Sequence, residues 1–278
     1  MKKILIPVFS LVLLLGMLAG CGGADSGGDK ASITDAKSLA AANKTAQEAV
    51  KNFHADGDMD MKIKMTINAS GTTQDLDMPM KMGLAMDTDG KTGHGQMKVD
   101  ADVMGQSIDQ DAEVYTDLEK GAVYTKVGGS DAWAKSDQQI NVTSMMDSVA
   151  EMDESLLAKA EFAESEEGYT LTLSGDALGE ALKDMDLMSG VSQLDLSDLT
   201  VGGGKIIYTI DKETNLMTKT VIEGLTITAK GSSSGVDYDA DITMDSDYAY
   251  CKYDELKPAD YEIPDEVLEM TGDKETAE

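Results

Sequence analysis

Arginine is absent from all 278 residues, so every basic side chain is a lysine. The planar guanidinium fork that grips a phosphate or carboxylate through two parallel bonds is therefore missing. The 23 lysines face 52 acidic residues, which leaves a formal charge of -29. A polyanion of this kind is repelled by the phosphate backbone, and nucleic acid is excluded as a partner. Cysteine is nearly absent: Cys21 and Cys251 are the two, too few for a disulfide framework. Cys251 follows a run of aspartates that disfavours the thiolate, so it is expected to pack as an inert side chain. Histidine occurs twice, as His54 and His94, and neither has a nucleophile or a second metal ligand at useful spacing. No glycine loop of the phosphate-cradling kind occurs. These shortages argue against an enzyme, a metal site and a bound cofactor. Long apolar runs are missing beyond the first 18 residues, and that first run is short for a membrane span.

What is present begins at that run. Lys2 and Lys3 precede apolar residues 4–18, and Leu18-Ala19-Gly20-Cys21 closes the segment with small residues and a cysteine. A basic start, an apolar middle and a small-residue exit are the layout of a secretory signal. Gly22-Gly23-Ala24-Asp25-Ser26-Gly27-Gly28 follows as a flexible, polar stretch. The expected organisation is a signal peptide over 1–20, a tether over 21–33, one folded domain over 34–268 and a disordered tail over 269–278. Loss of Lys2 and Lys3 takes the charge from -29 to -31, because no acidic residue precedes Cys21.

Period is the next signal. Thr34 is placed to cap a helix over 35–53, with Leu39, Ala42, Ala46, Val50 and Phe53 along one stripe. Met59, Met61, Ile63, Met65 and Ile67 then alternate with polar residues, the pattern of a strand with one wet face. The second strand carries Leu76, Met78, Met80, Met82, Leu84 and Met86, and Asp89-Gly90 turns into a third with Met97, Val99 and Ala101. Two further strands, one through Val114 and one over 122–127, complete an antiparallel meander. Pro79 removes a ladder donor and marks an edge or a bulge. Trp133 is expected to plug the end of this sheet region. A helix over 144–160, a strand at 169–173, a short helix from Asp176 and a loop over 189–204 follow. The last third holds strands at 205–210 and 216–229, the latter irregular at Gly224, and one from Val236 with aspartates along its outer side. Pro258 and Pro264 are expected to end regular structure.

The lipobox-like Leu18 to Cys21, the element order and two local features carry a resemblance. These features are Tyr208-Thr209-Ile210-Asp211-Lys212-Glu213-Thr214 and Ile263-Pro264-Asp265-Glu266-Val267-Leu268. Over roughly 35–268 the chain resembles LolA-like and LppX/LprG-like bacterial lipoproteins, and more closely the uncharacterised Gram-positive lipoproteins placed near them. The resemblance implies an α+β fold: a strongly curved antiparallel sheet, an unclosed half-barrel, with helices packed on its concave face. It implies acylation of Cys21 and residence at the outer face of the cytoplasmic membrane, on the extracellular side. It also implies a lipid or other apolar ligand between sheet and helices.

The methionine face fits such a ligand, because unbranched, polarizable side chains repack around irregular apolar shapes. The candidate ligand-binding residues are Met61, Met65, Met78, Met80, Met82, Met86 and Met97. A fully packed core is the alternative, which makes the chain a structural or protein-interaction module of the envelope. Asp87-Thr88-Asp89-Gly90 and the alternate aspartates 237–247 resemble fragments of calcium sites, but a hairpin turn and a solvated face account for them.

Overall fold

The structure, a computed structural model, describes residues 33–69, 72–103, 105–136, 149, 152, 154–184, 195–233 and 236–273. The expected signal, Cys21 and most of the expected tether lie outside the described residues, as does most of 144–153, the first part of the helix expected over 144–160.

Five long or medium strands follow one another as expected: β1 (Phe53–Ala69), β2 (Thr72–Thr88), β3 (Thr92–Val103), β4 (Gln106–Asp117) and β5 (Ala122–Val127). A three-residue β6 (Ala134–Ser136) ends this half. The second half holds β7 (Glu161–Glu164), β8 (Tyr169–Ser174), β9 (Asp195–Gly202), β10 (Lys205–Ile210), β11 (Met217–Ser233) and β12 (Val236–Cys251). All twelve join one antiparallel sheet in the order β6-β5-β4-β3-β2-β1-β12-β11-β10-β8-β7, with β9 also on β11. The curved sheet does not close into a barrel, and the fold is α+β as its alternating strands require.

Strand alternation sets the two faces. In β1, Met59, Met61, Ile63, Met65 and Ile67 are buried while Asp58, Asp60, Lys62 and Lys64 are exposed. Register carries this division sideways, since directly opposed residues share a face: Ile63 faces Ile242 and Met78, and Met61 faces Met244 and Met80. Pro79 sits one residue beyond the end of the ladder to β3, which begins at Met80 opposite Ala101. An interior strand thus becomes an edge where the proline stands.

Helices lie on both faces rather than on the concave one alone. On the inner face, α1 (Ala36–Gln47) buries Ala36, Leu39, Ala40 and Asn43. This stripe is rotated from the expected one because Asn43, a polar residue, is fully buried and donates to the Asn215 carbonyl at 2.8 Å. The cap is Asp35 rather than Thr34: Asp35 Oδ1 accepts from Ser38 N at 2.7 Å, and Ser38 Oγ accepts from Asp35 N at 3.2 Å. The helix stops at Gln47 and Phe53 opens β1 instead. Among the described residues of the second expected helix, only α2 (Glu154–Leu157) is helical, and β7 follows directly. The helix α3 (Gly175–Asp184) starts as expected, with Ser174 Oγ accepting from Ala177 N at 3.2 Å.

Two further corrections concern segments expected to be irregular. Part of the 189–204 loop is β9, pairing with the far half of β11. Pro258 and Pro264 begin helices instead of ending structure, since proline at a helix start loses no bond. They open α4 (Pro258–Tyr261) and α5 (Asp265–Thr271), and Gly272 caps α5 at φ 80°. Residues 269–273, expected in the tail, therefore belong to the fold. This strap crosses the outer face, where Val267 packs with Tyr115, Ala122 and Tyr124, flanked by Trp133, Ile263 and Leu268. Trp133 is the expected plug, on the outer face.

Candidate functional site

The seven methionines singled out in the sequence are brought to the inner face, but not into one group. Met61, Met78, Met80 and Met82 join the main core together with Met59, Ile63, Val99 and Met244. Their order across the sheet follows from register: Met59 faces Met82, which faces Val99. Met65 belongs to a separate end cluster with Ile67, Ala240 and the half-buried Leu76. Met97 is half-buried beside Ala112, Val114 and Val123. Met86 lies at the other end, lining a cavity of about 10 Å³ with Phe53, Ala55, Leu84, Thr88, Tyr248 and Tyr250. That volume is room for one water at most.

Sequence reasoning missed Met244, Ser246, Tyr248 and Tyr250 as neighbours of the methionines. All four lie on the inner side of β12, which pairs with β1. The Ser246 hydroxyl is buried opposite Met59 and has no hydrogen-bond partner among the described residues. Burial pushes the Tyr250 phenol up to about 12 and raises Tyr248 and Tyr253 as well. These three phenols therefore stay neutral at neutral pH. Tyr253 donates to the Met217 carbonyl, and Thr220 Oγ1 to Met217 Sδ at 3.4 Å.

The outer face has an open hollow of about 460 Å³ lined by Lys64, Thr66, Asp75, Asp77, Asp239 and Asp241, with Met65 and Leu76. Lysines and hydroxyls of adjacent strands answer its carboxylates and their neighbours. Lys230 stands 3.0 Å from Asp239 and Lys219 2.8 Å from Asp247, while Thr66 and Thr228 donate to Asp75 and Asp241 at 2.8 and 3.1 Å. Asp245 accepts from Gly224 N at 2.7 Å. Among the described residues no three His, Cys, Asp or Glu side chains are placed to hold a metal ion. The Asp89 carboxylate closes its own turn, accepting from Lys91 N, Thr92 N and Thr92 Oγ1.

Cys251 is exposed and unbridged, against the expectation that it packs, because its strand position falls on the wet face. It stands opposite His54 in register, and His54 Nδ1 lies 2.6 Å from Asp87 Oδ1. No hydrogen bond joins Cys251 to His54, so the three do not form a relay.

The sequence model of a family of unknown function, DUF6612, matches residues 35–271. The chain belongs to the DUF6612 family. The match runs from the α1 cap to the end of α5, so in this DUF6612 chain the strap is part of the shared region. No curated protein matches the chain. Among solved structures it is similar to a DUF1329 family protein from Desulfovibrio piger, with 11% identity and a TM-score of 0.28. The alignment covers 81% of this chain and 97% of that one.

Proposed function

We propose that this DUF6612 chain is a lipoprotein held at the outer face of the cytoplasmic membrane through acylated Cys21, and that its methionine-lined interior receives the apolar part of a ligand. The observation that carries the ligand reading is the contiguous patch of Met59, Met61, Met78, Met80, Met82 and Met244 on the inner face. Methionine has three rotatable bonds and no branch, so such a patch opens by changing rotamers where leucine or isoleucine would resist. The resemblance to LolA-like lipoproteins supports the same reading. A diacylglyceryl group on Cys21 supplies two chains, each contributing about 0.8 kcal/mol per buried methylene, enough for a durable anchor. Bound this way, the protein works at one membrane surface and does not shuttle.

A second reading has its own observation. The cavity of about 10 Å³ beside Met86 is what a packed core shows at that end of the inner face, and it favours a packed envelope module that meets a protein partner. Native mass spectrometry of the Cys21→Ala chain, purified without detergent, separates the two. Recurrent co-purified lipid is expected for the binder, and a bare mass across preparations and after incubation with lipid vesicles overturns it. Feeding cells an alkyne fatty acid tests the anchor: the wild-type chain is expected to take the label and Cys21→Ala to lose it.

A further inference from the structure

His94 is on the outer side of β3, beneath the strap formed by residues 257–273. Its ring stacks on Tyr115 with centroids 4.3 Å apart and planes inclined by 11°. Its Nε2 stands 3.1 Å from Glu113 Oε1 and its Nδ1 stands 3.3 Å from the backbone carbonyl of Asp260 in α4. A carbonyl oxygen can only accept, and an ionised carboxylate can only accept. Both ring nitrogens must therefore carry hydrogen for both contacts to be bonds, which makes the ring an imidazolium. A neutral ring satisfies both only when Glu113 holds the proton instead. Either way the two contacts together require one proton more than a neutral imidazole beside an ionised carboxylate carries.

The groups around the pair are mostly acidic. Glu113 and Tyr115 face the ring from β4, and Asp87, its cross-strand neighbour on β2, has its carboxylate turned to His54. From the strap come Asp260, whose side chain accepts from Lys257 N at 2.7 Å, with Tyr261 and Glu262 beside it. Glu266 of α5 and Asp89 of the β2–β3 turn add negative field near Tyr115 and Tyr261. Two lysines of this face are engaged elsewhere: Lys126 lies over the Trp133 ring and Lys135 pairs with Asp273 at 2.8 Å.

We propose that the C-terminal strap is a proton-operated latch, closed on the outer face by doubly protonated His94 and loosened when that ring gives up a proton. Closure needs the second ring proton, so the latch closes as pH falls and relaxes as pH rises. Release uncovers the apolar patch of Tyr115, Tyr124 and Trp133 that Val267 and Leu268 cover.

Trp133 is the sole tryptophan and packs in that patch, 5.3 Å from Tyr115 between ring centroids, so it reports on the strap without a label. In the full chain, acrylamide quenching of its fluorescence is expected to rise about twofold or more between about pH 5 and about pH 8, the range in which imidazole changes charge. His94→Gln, which cannot present two opposed N–H donors, is expected to stay at the high-quench level throughout. His54→Gln is expected to keep the wild-type transition. Flat quenching in the wild type, or an unchanged transition in His94→Gln, overturns the latch. If His94→Gln fails to fold, imidazole nitrogen-15 spectra of wild type and His54→Gln decide the matter. Two protonated ring nitrogens on His94 near about pH 6 are expected, and a single-proton tautomer there overturns the proposal.

Discussion

Asp211 shows what one short side chain does for this fold. It closes the β10–β11 turn by accepting from Glu213 N at 3.0 Å, Thr214 N at 2.8 Å and Thr214 Oγ1 at 2.7 Å. The Thr214 hydroxyl and then its amide hold the Asp211 carboxyl below the usual range. A depressed folded value means that the turn's contribution is present above the ordinary ~3.9 and is lost as pH falls through the lower folded value. Asp211→Ala is expected to cost about 0.5–2 kcal/mol, as loss of a helix cap does, and to flatten the acid limb of the stability profile. Urea unfolding at about pH 7 and about pH 3 reads both effects. Ser246 is the opposite case, a buried hydroxyl with no partner among the described residues. Removing an unpaired polar group is close to neutral or stabilising by up to about 1 kcal/mol, so Ser246→Ala should unfold no earlier in urea than wild type. An early midpoint would reveal a partner for the hydroxyl.

Whole elements were legible where alternation was unbroken and hidden where a bulge or a backbone approach broke it. β1 and β2 declare themselves through methionines and other apolar residues at every second position, β3 through Met97, Val99 and Ala101, and Gly224 betrays its irregularity, where the β11–β12 register shifts between Ile222 and Leu225. β9 did not, because its ladder to β11 shifts between Lys230 and Gly231, so Asp198 and Leu196 become successive partners and the period of two is lost. The strap was missed because proline reads as a stop, while here two prolines open short helices that tertiary packing holds. The methionine patch was legible strand by strand: Met61, Met78, Met80 and Met82 were visible as one-sided rows. That Met244 and Ser246 complete the patch depends on β12 pairing with β1, and nothing local in either strand announces so distant a partner. The α3–β9 contact rests on glycine. A Cβ at Gly179 would stand 2.0 Å from the Val201 carbonyl oxygen, and one at Gly175 1.7 Å from that of Gly203. Gly179→Ala should raise helix propensity and still destabilise, by about 1–3 kcal/mol, because backbone must move. Faster amide exchange confined to α3 and β9 is the expected signature, and a stabilised variant would mean that the helix slides without loss.

At the scale of the molecule, one seam holds two half-sheets together. β1 through β6 form one antiparallel run, β7 through β12 the other, and the β1–β12 ladder, from His54 opposite Cys251 to Ala69 opposite Val236, is what makes them a single sheet. It is also the pairing of greatest sequence separation, so its closure entropy is met late in folding, after local hairpins have formed. Gly57 is the tightest point of that seam: a Cβ there would lie 2.4 Å from both the Asp247 carbonyl oxygen and Cδ1 of Tyr248, its partner in register. Gly57→Ala is therefore expected to cost about 1–3 kcal/mol by forcing β1 and β12 apart. A Cβ at Gly83, one strand over on β2, would meet the tip of Asp58 at 3.1 Å, a side chain that can turn away, and Lys98 Cβ at an ordinary 3.9 Å, so Gly83→Ala should be tolerated. If the two halves fold as one cooperative unit, Gly57→Ala speeds amide exchange in β3–β5 and in β10–β11 by the same factor. Acceleration limited to β1 and β12 would instead mean that each half-sheet is stable without its partner, with the seam a joint between two units.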